Sequence, residues 1–263
     1  MVIITLLTDF GLSDNYVAQM KGVILGNSPK SEIVDITHNV PRHQIVDAAF
    51  LLETAVQYFP ADAIHLAVVD PGVGGDRLPI VVKCRTGILV GPDNGLLFRA
   101  ASKLGLRSAY EIRAKRFFAK TVSETFHARD IFARTTALLA NGTSPRHVGR
   151  RLPKIVPLRI SAPKFSGDKL TGVVLHVDSF GNVITNIPNR FLSSHFSNGH
   201  VVRIVSGRKK WMGKHVGTYG DVDRGKLALM CGSQGYIEIA LREKSAGEVL
   251  GVKVLDALGV IFA

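Results

Sequence analysis

Cysteine is nearly absent: the 263 residues hold two, Cys84 and Cys231. Two thiols can form one bridge at most, and neither sits in a paired spacing. A disulfide framework and a paired-cysteine metal or redox motif are thereby excluded, and the expectation is two buried thiols in a reducing cytoplasm. No apolar run approaches the about 20 residues that a membrane-spanning helix needs. The apolar start, Met1 to Leu7, stops at Thr8-Asp9 and has no basic leader, so it reads as a buried strand rather than a secretory signal. Repeats at solenoid or propeller periods are missing, and so are long polar tracts, which argues against arrays and wholesale disorder. Acid is short relative to base, 21 residues against 33, for a formal charge of +12. The basic residues look scattered, with small clusters at Lys115-Arg116, Arg150-Arg151 and Arg208-Lys209-Lys210. Aromatics are only 7% and no nucleic-acid signature accompanies them, so the charge is read as a solvated surface, with no nucleic-acid or membrane partner expected.

What is present is apolar material, 46% of the chain, enough for one large or two modest cores. Residues 2–7, 32–36, 63–69, 80–83 and 88–90 read as strands. Helical spacing runs over 15–25, 45–58, 96–104 and 127–140. Alternation of this kind predicts an α/β N-terminal domain with a mostly parallel sheet, over residues 1–160. Pro153, Pro157 and Pro163 then mark a change of character. From Leu170 onward, strand-like runs at 172–177, 182–187, 200–205, 228–230 and 236–240 alternate with glycine turns, with no convincing helix. A small all-β barrel is predicted for residues 161–263.

In parallel sheets, ligands bind beyond the C-terminal strand ends. Asp9, Asp14, Asp70 and Asp93 each follow a strand and are expected on one rim. Asp9 and Asp14, in Thr8-Asp9-Phe10-Gly11 and its turn, could accept both hydroxyls of a ribose, although a turn residue and a helix cap would look the same. Asp70-Pro71-Gly72-Val73-Gly74-Gly75-Asp76-Arg77 permits close backbone approach, and its Asp and Arg could hold a water or simply pair with each other. The loop is not a Walker loop, because no Gly-Lys-Ser/Thr follows. Phe126-His127-Ala128-Arg129-Asp130 opens a helix with a residue able to orient a proton near neutral pH, or merely to cap. Asp178-Ser179-Phe180-Gly181-Asn182 and Gly232-Ser233-Gln234-Gly235-Tyr236 are polar turns in the β region, or plain hairpins.

Taken in order along the whole chain, these segments and Gly91-Pro92-Asp93-Asn94-Gly95 resemble the S-adenosylmethionine (SAM) hydroxide adenosyltransferase family, related to fluorinases and chlorinases. The resemblance implies hydrolysis of SAM to adenosine and L-methionine, with SAM as substrate and neither cofactor nor metal. It also implies a homotrimer whose active sites lie between the N-terminal domain of one subunit and the C-terminal domain of the next. It gives Asp70, Arg77 and His127 the attacking water, and Asp9 and Asp14 the ribose. Phe180 and Asn182 fall to the adenine side, Asp178 to the methionine ammonium and Ser233 to its carboxylate. Gln234 departs from the arginine of the halogenases. These carry a serine for halide at the place of Ala128 and an aromatic at that of Asp70, so the resemblance points to water rather than halide.

Two other classes fit parts of the pattern. A metal-dependent phosphoesterase could draw on Asp9, Asp70, Asp93 and His127, but no His-x-His or His-x-x-x-His pair is present. A nucleotide- or RNA-binding protein without turnover would account for the positive charge.

Overall fold

The computed structural model describes residues 1–193 and 198–262. They divide into two compact units, Met1–Arg159 and Ile160–Ala263.

The first unit runs β1 (Ile3–Thr8), α1 (Tyr16–Asn27), β2 (Glu32–Thr37), α2 (Ile45–Val56), β3 (Ile64–Val68), β4 (Pro79–Cys84), β5 (Ile88–Pro92), α3 (Phe98–Leu104), β6 (Leu106–Glu111), α4 (Arg134–Ala140) and β7 (Arg151–Leu152). Neighbouring strands follow the order β2-β1-β3-β5-β4-β6-β7. Successive side chains of β1 point to opposite faces. Ile4 and Leu6 join a core with Met20, Ile24 and Phe132, whereas Leu7 joins another with Leu52, Ala67 and Leu97. Both faces are therefore buried, by α1 and α4 on one side and α2 and α3 on the other.

The expectation of a mostly parallel sheet is corrected. β2, β1, β3 and β5 are mutually parallel, but β4 runs antiparallel to β5 and β6, and β6 to β7. The cause is connection length. Three residues join β4 to β5, and only antiparallel neighbours can be joined so tightly, since a parallel crossover takes a dozen or more. The parallel half is the half that matters for the rim, because the C-terminal ends of β1, β3 and β5 share one edge.

The second unit holds β8 (Lys164–Ser166), β9 (Lys169–Val177), β10 (Val183–Pro188), α5 (Arg190–Ser193), β11 (Val201–Ser206), β12 (Lys209–His215), β13 (Leu227–Cys231), β14 (Tyr236–Leu241), α6 (Ala246–Leu250) and β15 (Ala257–Phe262). Pairing runs β10-β14-β13-β12-β11-β15-β9, and β9 closes back onto β10, leaving β8 as a flap on β9. This is a closed barrel, all antiparallel except β12 against β13. Closure abolishes the free edges that an open sheet of this size would present. Two short helices stand where the sequence suggested none. α6 is held by the Ser245 hydroxyl, which accepts from the Glu248 N–H, and it stops at left-handed Gly251. Five residues are too few to leave a periodic signal. Cys231, expected to be buried, is exposed where β13 runs out into a turn, while Cys84 is buried.

Gly172 is where the barrel is tightest. A Cβ there would lie 2.4 Å from Asn186 Oδ1 and 2.6 Å from Ile187 Cγ1 on β10. Asn186 cannot withdraw freely, because its Oδ1 accepts the Val173 N–H and its Nδ2 donates to the Ser161 carbonyl. Gly172→Ala is expected to lower unfolding stability by about 1–3 kcal/mol through overpacking, read from denaturant midpoints. A midpoint equal to wild type would mean that β9 and β10 can separate at this point without loss.

Candidate active site

The centre of the first unit's rim is Arg77. Its Nε donates to Asp70 Oδ1 at 3.0 Å and Oδ2 at 2.9 Å, and its Nη2 donates to Asp70 Oδ2 at 2.6 Å. Nη2 also donates to His127 Nδ1 at 2.7 Å, while the guanidinium lies 5.4 Å from the Phe132 ring centroid. Both side chains of the ion pair are nearly dry, 9% exposed for Arg77 and 5% for Asp70. Buried charges of this kind persist only when paired and hydrogen-bonded, and here the pair is forked. The glycine loop makes the return from Asp70 to Arg77 possible. A Cβ on Gly72 would sit 3.3 Å from Arg77 Cγ, and left-handed Gly74 packs so close that a Cβ would meet the Glu124 carbonyl at 2.8 Å.

His127 stands at the start of a π-helical turn, Ala128–Ala133, that leads into α4. Such turns are rare and gather at functional sites. This one is pinned by Asp130, which accepts the Ser123 N–H at 2.8 Å and a fork from Arg129. An arginine can only donate, so His127 Nδ1 must be the unprotonated nitrogen and Nε2 carries the hydrogen. Burial, followed by the charge of Arg77, holds the imidazole below its ordinary value of 6.5. His127 is thus a neutral hydrogen-bond donor at neutral pH.

Asp9, Asp14 and Asp70 line one cavity of about 230 Å³, together with Tyr16, Arg42 and His43. Asp9 Oδ2 accepts the backbone N–H of His43 at 2.9 Å, and His43 takes a left-handed φ of 66°, costly for a residue with a side chain. Phe10, Tyr16 and Phe126 form an edge-to-face and tilted cluster, with centroids 5.2–6.0 Å apart. Asp93, expected on the same rim, does not line this cavity: its Oδ1 accepts the Val156 N–H at 2.7 Å, and burial pushes its carboxyl up. Tyr16, Arg42 and His43 were not singled out from the sequence. The signal available for them was position, since Arg42 and His43 lie in the loop after a parallel strand.

In the second unit Asp178, Phe180 and Asn182 line a cavity of about 660 Å³ with Tyr219 and the stretch Leu241–Ser245. Asp178 Oδ1 accepts the N–H groups of Phe180 and Asn182, and its Oδ2 accepts from the Asn182 amide at 3.0 Å. This carboxylate folds its own turn and leaves the Phe180 ring 79% exposed. Tyr219 donates to Glu238 at 2.5 Å, and burial with that carboxylate pushes the phenol up to about 12. Ser233 is exposed in the β13–β14 turn and does not line this cavity. Among the described residues no three His, Cys, Asp or Glu side chains are grouped to hold a metal ion.

Comparison with known proteins agrees with this architecture. Residues 4–149 match the SAM hydroxide adenosyltransferase N-terminal domain, and residues 172–258 match its C-terminal domain. A protein of Salinispora tropica named (R)-S-adenosyl-L-methionine hydrolase is 39% identical over 98% of this chain and 97% of its own. One of the same name from Methanocaldococcus jannaschii is 35% identical over 99% and 96%. A fluorinase from an Actinoplanes species is more distant, 27% identical over 70% of this chain and 71% of its own. The crystal structure of an uncharacterized conserved protein from Thermotoga maritima superposes with a TM-score of 0.93 at 39% identity, covering 98% of this chain and 99% of that one. The chain belongs to the SAM hydroxide adenosyltransferase family.

Two outcomes follow from the Arg77 centre. Asp70→Asn keeps the shape but leaves a dry guanidinium without its counter-charge, and should cost about 3–5 kcal/mol of stability by chemical denaturation. His127 is held below 6.5, so its contribution to stability is fully present above that pH and is lost as pH falls through the folded value. A His127→Gln variant should therefore lose less stability than wild type on acidification just below 6.5. Equal losses would show that the imidazole is not neutral in the folded protein.

Proposed function

We infer that this chain hydrolyses SAM to adenosine and L-methionine, in the (R) sulfonium form for which its relatives are named. The observation that carries the reading is the forked Asp70–Arg77–His127 centre beside a cavity lined by Asp9 and Asp14. Water is a poor nucleophile, with a pKa of about 15.7. A dry guanidinium beside it favours hydroxide character, and His127 Nε2–H can donate to its oxygen. Asp70 carries two oxygens with lone pairs beyond those used by Arg77, and is the group able to accept the water's proton. The water oxygen bonds to ribose C5′ while the C5′–sulfur bond breaks and its electron pair stays on sulfur. The sulfonium charge disappears as neutral methionine thioether departs, so no general acid is needed.

Asp9 and Asp14 are assigned the ribose hydroxyls, which suits paired acceptors. The exposed Phe180 ring offers an adenine a stacking face, with Asn182 for its edge. Asp178 retains acceptor capacity on Oδ2 for the methionine ammonium, and Ser233 is assigned the carboxylate. The family resemblance supports a cytoplasmic homotrimer with intersubunit sites as part of the same proposal, checked by the solution mass.

Incubation with each sulfonium epimer, with EDTA, in ¹⁸O-enriched water tests the reaction by mass spectrometry. Labelled 5′ oxygen in adenosine, with methionine released from the (R) form, is the expected outcome. Unlabelled adenosine, or chelator-sensitive turnover, would refute displacement by water without a metal. Asp70→Ala or His127→Ala should lower kcat by about 10²–10⁴-fold with SAM affinity little changed. Wild-type turnover in either variant would remove that residue from the water site.

A further inference from the structure

The basic residues that look scattered in the sequence are gathered by the barrel. The register across five strands puts Lys210, Val205, Gly259, Thr171 and Lys164 in one row. Met212, Arg203, Ile261 and Lys169 form the next row, and Lys214 lies beyond, opposite Val201. The alternate residues of these strands, among them Val202, Ile204, Leu258 and Val260, are the barrel's core, so both rows point outward. The outward face carries five cations, Lys164, Lys169, Arg203, Lys210 and Lys214, and no acidic residue stands at any position of either row. None of the five side chains has an ion pair or hydrogen bond among the described residues. Residues 160–263 contain thirteen Lys and Arg against eight Asp and Glu, an excess of five. This face alone matches the barrel's whole excess charge. The Arg208-Lys209 turn extends it at one end.

We propose that this face binds the phosphate backbone of double-stranded nucleic acid, without sequence preference. Strands about 4.8 Å apart make the row from Lys210 to Lys164 about 19 Å long, and residues at about 3.3 Å per step put Lys210 and Lys214 about 13 Å apart. A duplex axis of that length carries about eleven phosphates, enough to engage all five cations from one side. The aliphatic side chains between them, Val201, Val205, Met212 and Ile261, offer no base-edge chemistry. Trp211, the aromatic of β12, packs toward the core, so the rows contain no platform on which unpaired bases could stack. The rows likewise hold no tryptophan, phenylalanine or leucine, and Phe165 beside Lys164 lies at an alternate position opposite Leu170, which weighs against insertion of this face into a lipid interface. None of the residues of this face is among those assigned to SAM.

The test is fluorescence anisotropy of a labelled DNA duplex of about 20 base pairs, titrated with the full chain at several salt concentrations. Binding in the range of about 10⁻⁴–10⁻⁶ M is expected near physiological salt, with log affinity falling against log salt at a slope of about −4.5. The triple variant Lys169→Ala, Lys210→Ala, Lys214→Ala should flatten the slope to about −1.8. A charge-matched variant of exposed lysines in the first unit, Lys30→Ala, Lys103→Ala, Lys154→Ala, should keep the wild-type slope. SAM turnover should be unchanged in both, which also certifies their folding. Equal losses in the two variants would overturn the proposal in favour of bulk charge. It is equally overturned by no binding, by tighter binding to phosphatidylserine vesicles than to duplex, or by a changed oligomeric mass in the face variant.

Discussion

A single buried guanidinium organises the first unit's rim. Arg77 is nearly dry, so its charge must be answered nearby, and Asp70 at the end of β3 answers it with both oxygens. That requirement explains the loop between them. Glycine at 74 lets the loop turn in the left-handed region and pack on Glu124, and glycine at 72 leaves room for the arginine that reaches back to the aspartate. The same guanidinium reaches His127, which lies fifty residues further along the chain and is set by a π-helical turn pinned through Asp130. Two segments far apart in sequence, the Asp70–Arg77 loop and the turn at His127, thus meet on one donor-only group.

That donor-only character has a chemical consequence. Because Arg77 gives hydrogens to Asp70 and to His127 Nδ1 alike, the histidine is fixed as a donor through Nε2 and is not the base that its residue type would suggest. In the proposed mechanism, acceptance of a proton falls to the carboxylate. In the proposed reaction the leaving group is a sulfonium that loses its charge as it departs, so the demand falls on aligning water rather than on strong proton removal. Positioning of that kind is what a rigid, fully paired centre supplies.

How much of this could be read from the sequence depends on whether a feature is local. The carboxylates after β1 and β3 were legible, because strand ends in a parallel sheet face one edge and each aspartate follows its strand directly. The antiparallel half of the sheet was also legible in principle, from the short link between residues 83 and 88, and was missed by extending the βαβ pattern too far. Arg42 and His43 carried only the signal of position, in the loop after β2, because what further marks His43 is a strained backbone and an N–H aimed at Asp9. Tyr219 and Leu241–Ser245 enter the barrel cavity only once β14 is laid beside β10 and β13. β12 was missed because its outward positions are lysines and a methionine, so its alternation reads as a polar turn.

The choice between water and halide rests on two positions, Ala128 and Asp70. His127 and Ala128 are consecutive at the start of the π-helical turn, and Ala128 is buried with no hydroxyl to offer an anion. A halide would need donors around it and no acceptor. Here the group facing Arg77 is a carboxylate, whose negative charge repels a halide as surely as it orders a water through that water's hydrogens. Restoring a serine at 128 while leaving Asp70 in place would still leave a charged acceptor beside the anion. In the proposed reaction the aspartate, more than the missing hydroxyl, is what selects water.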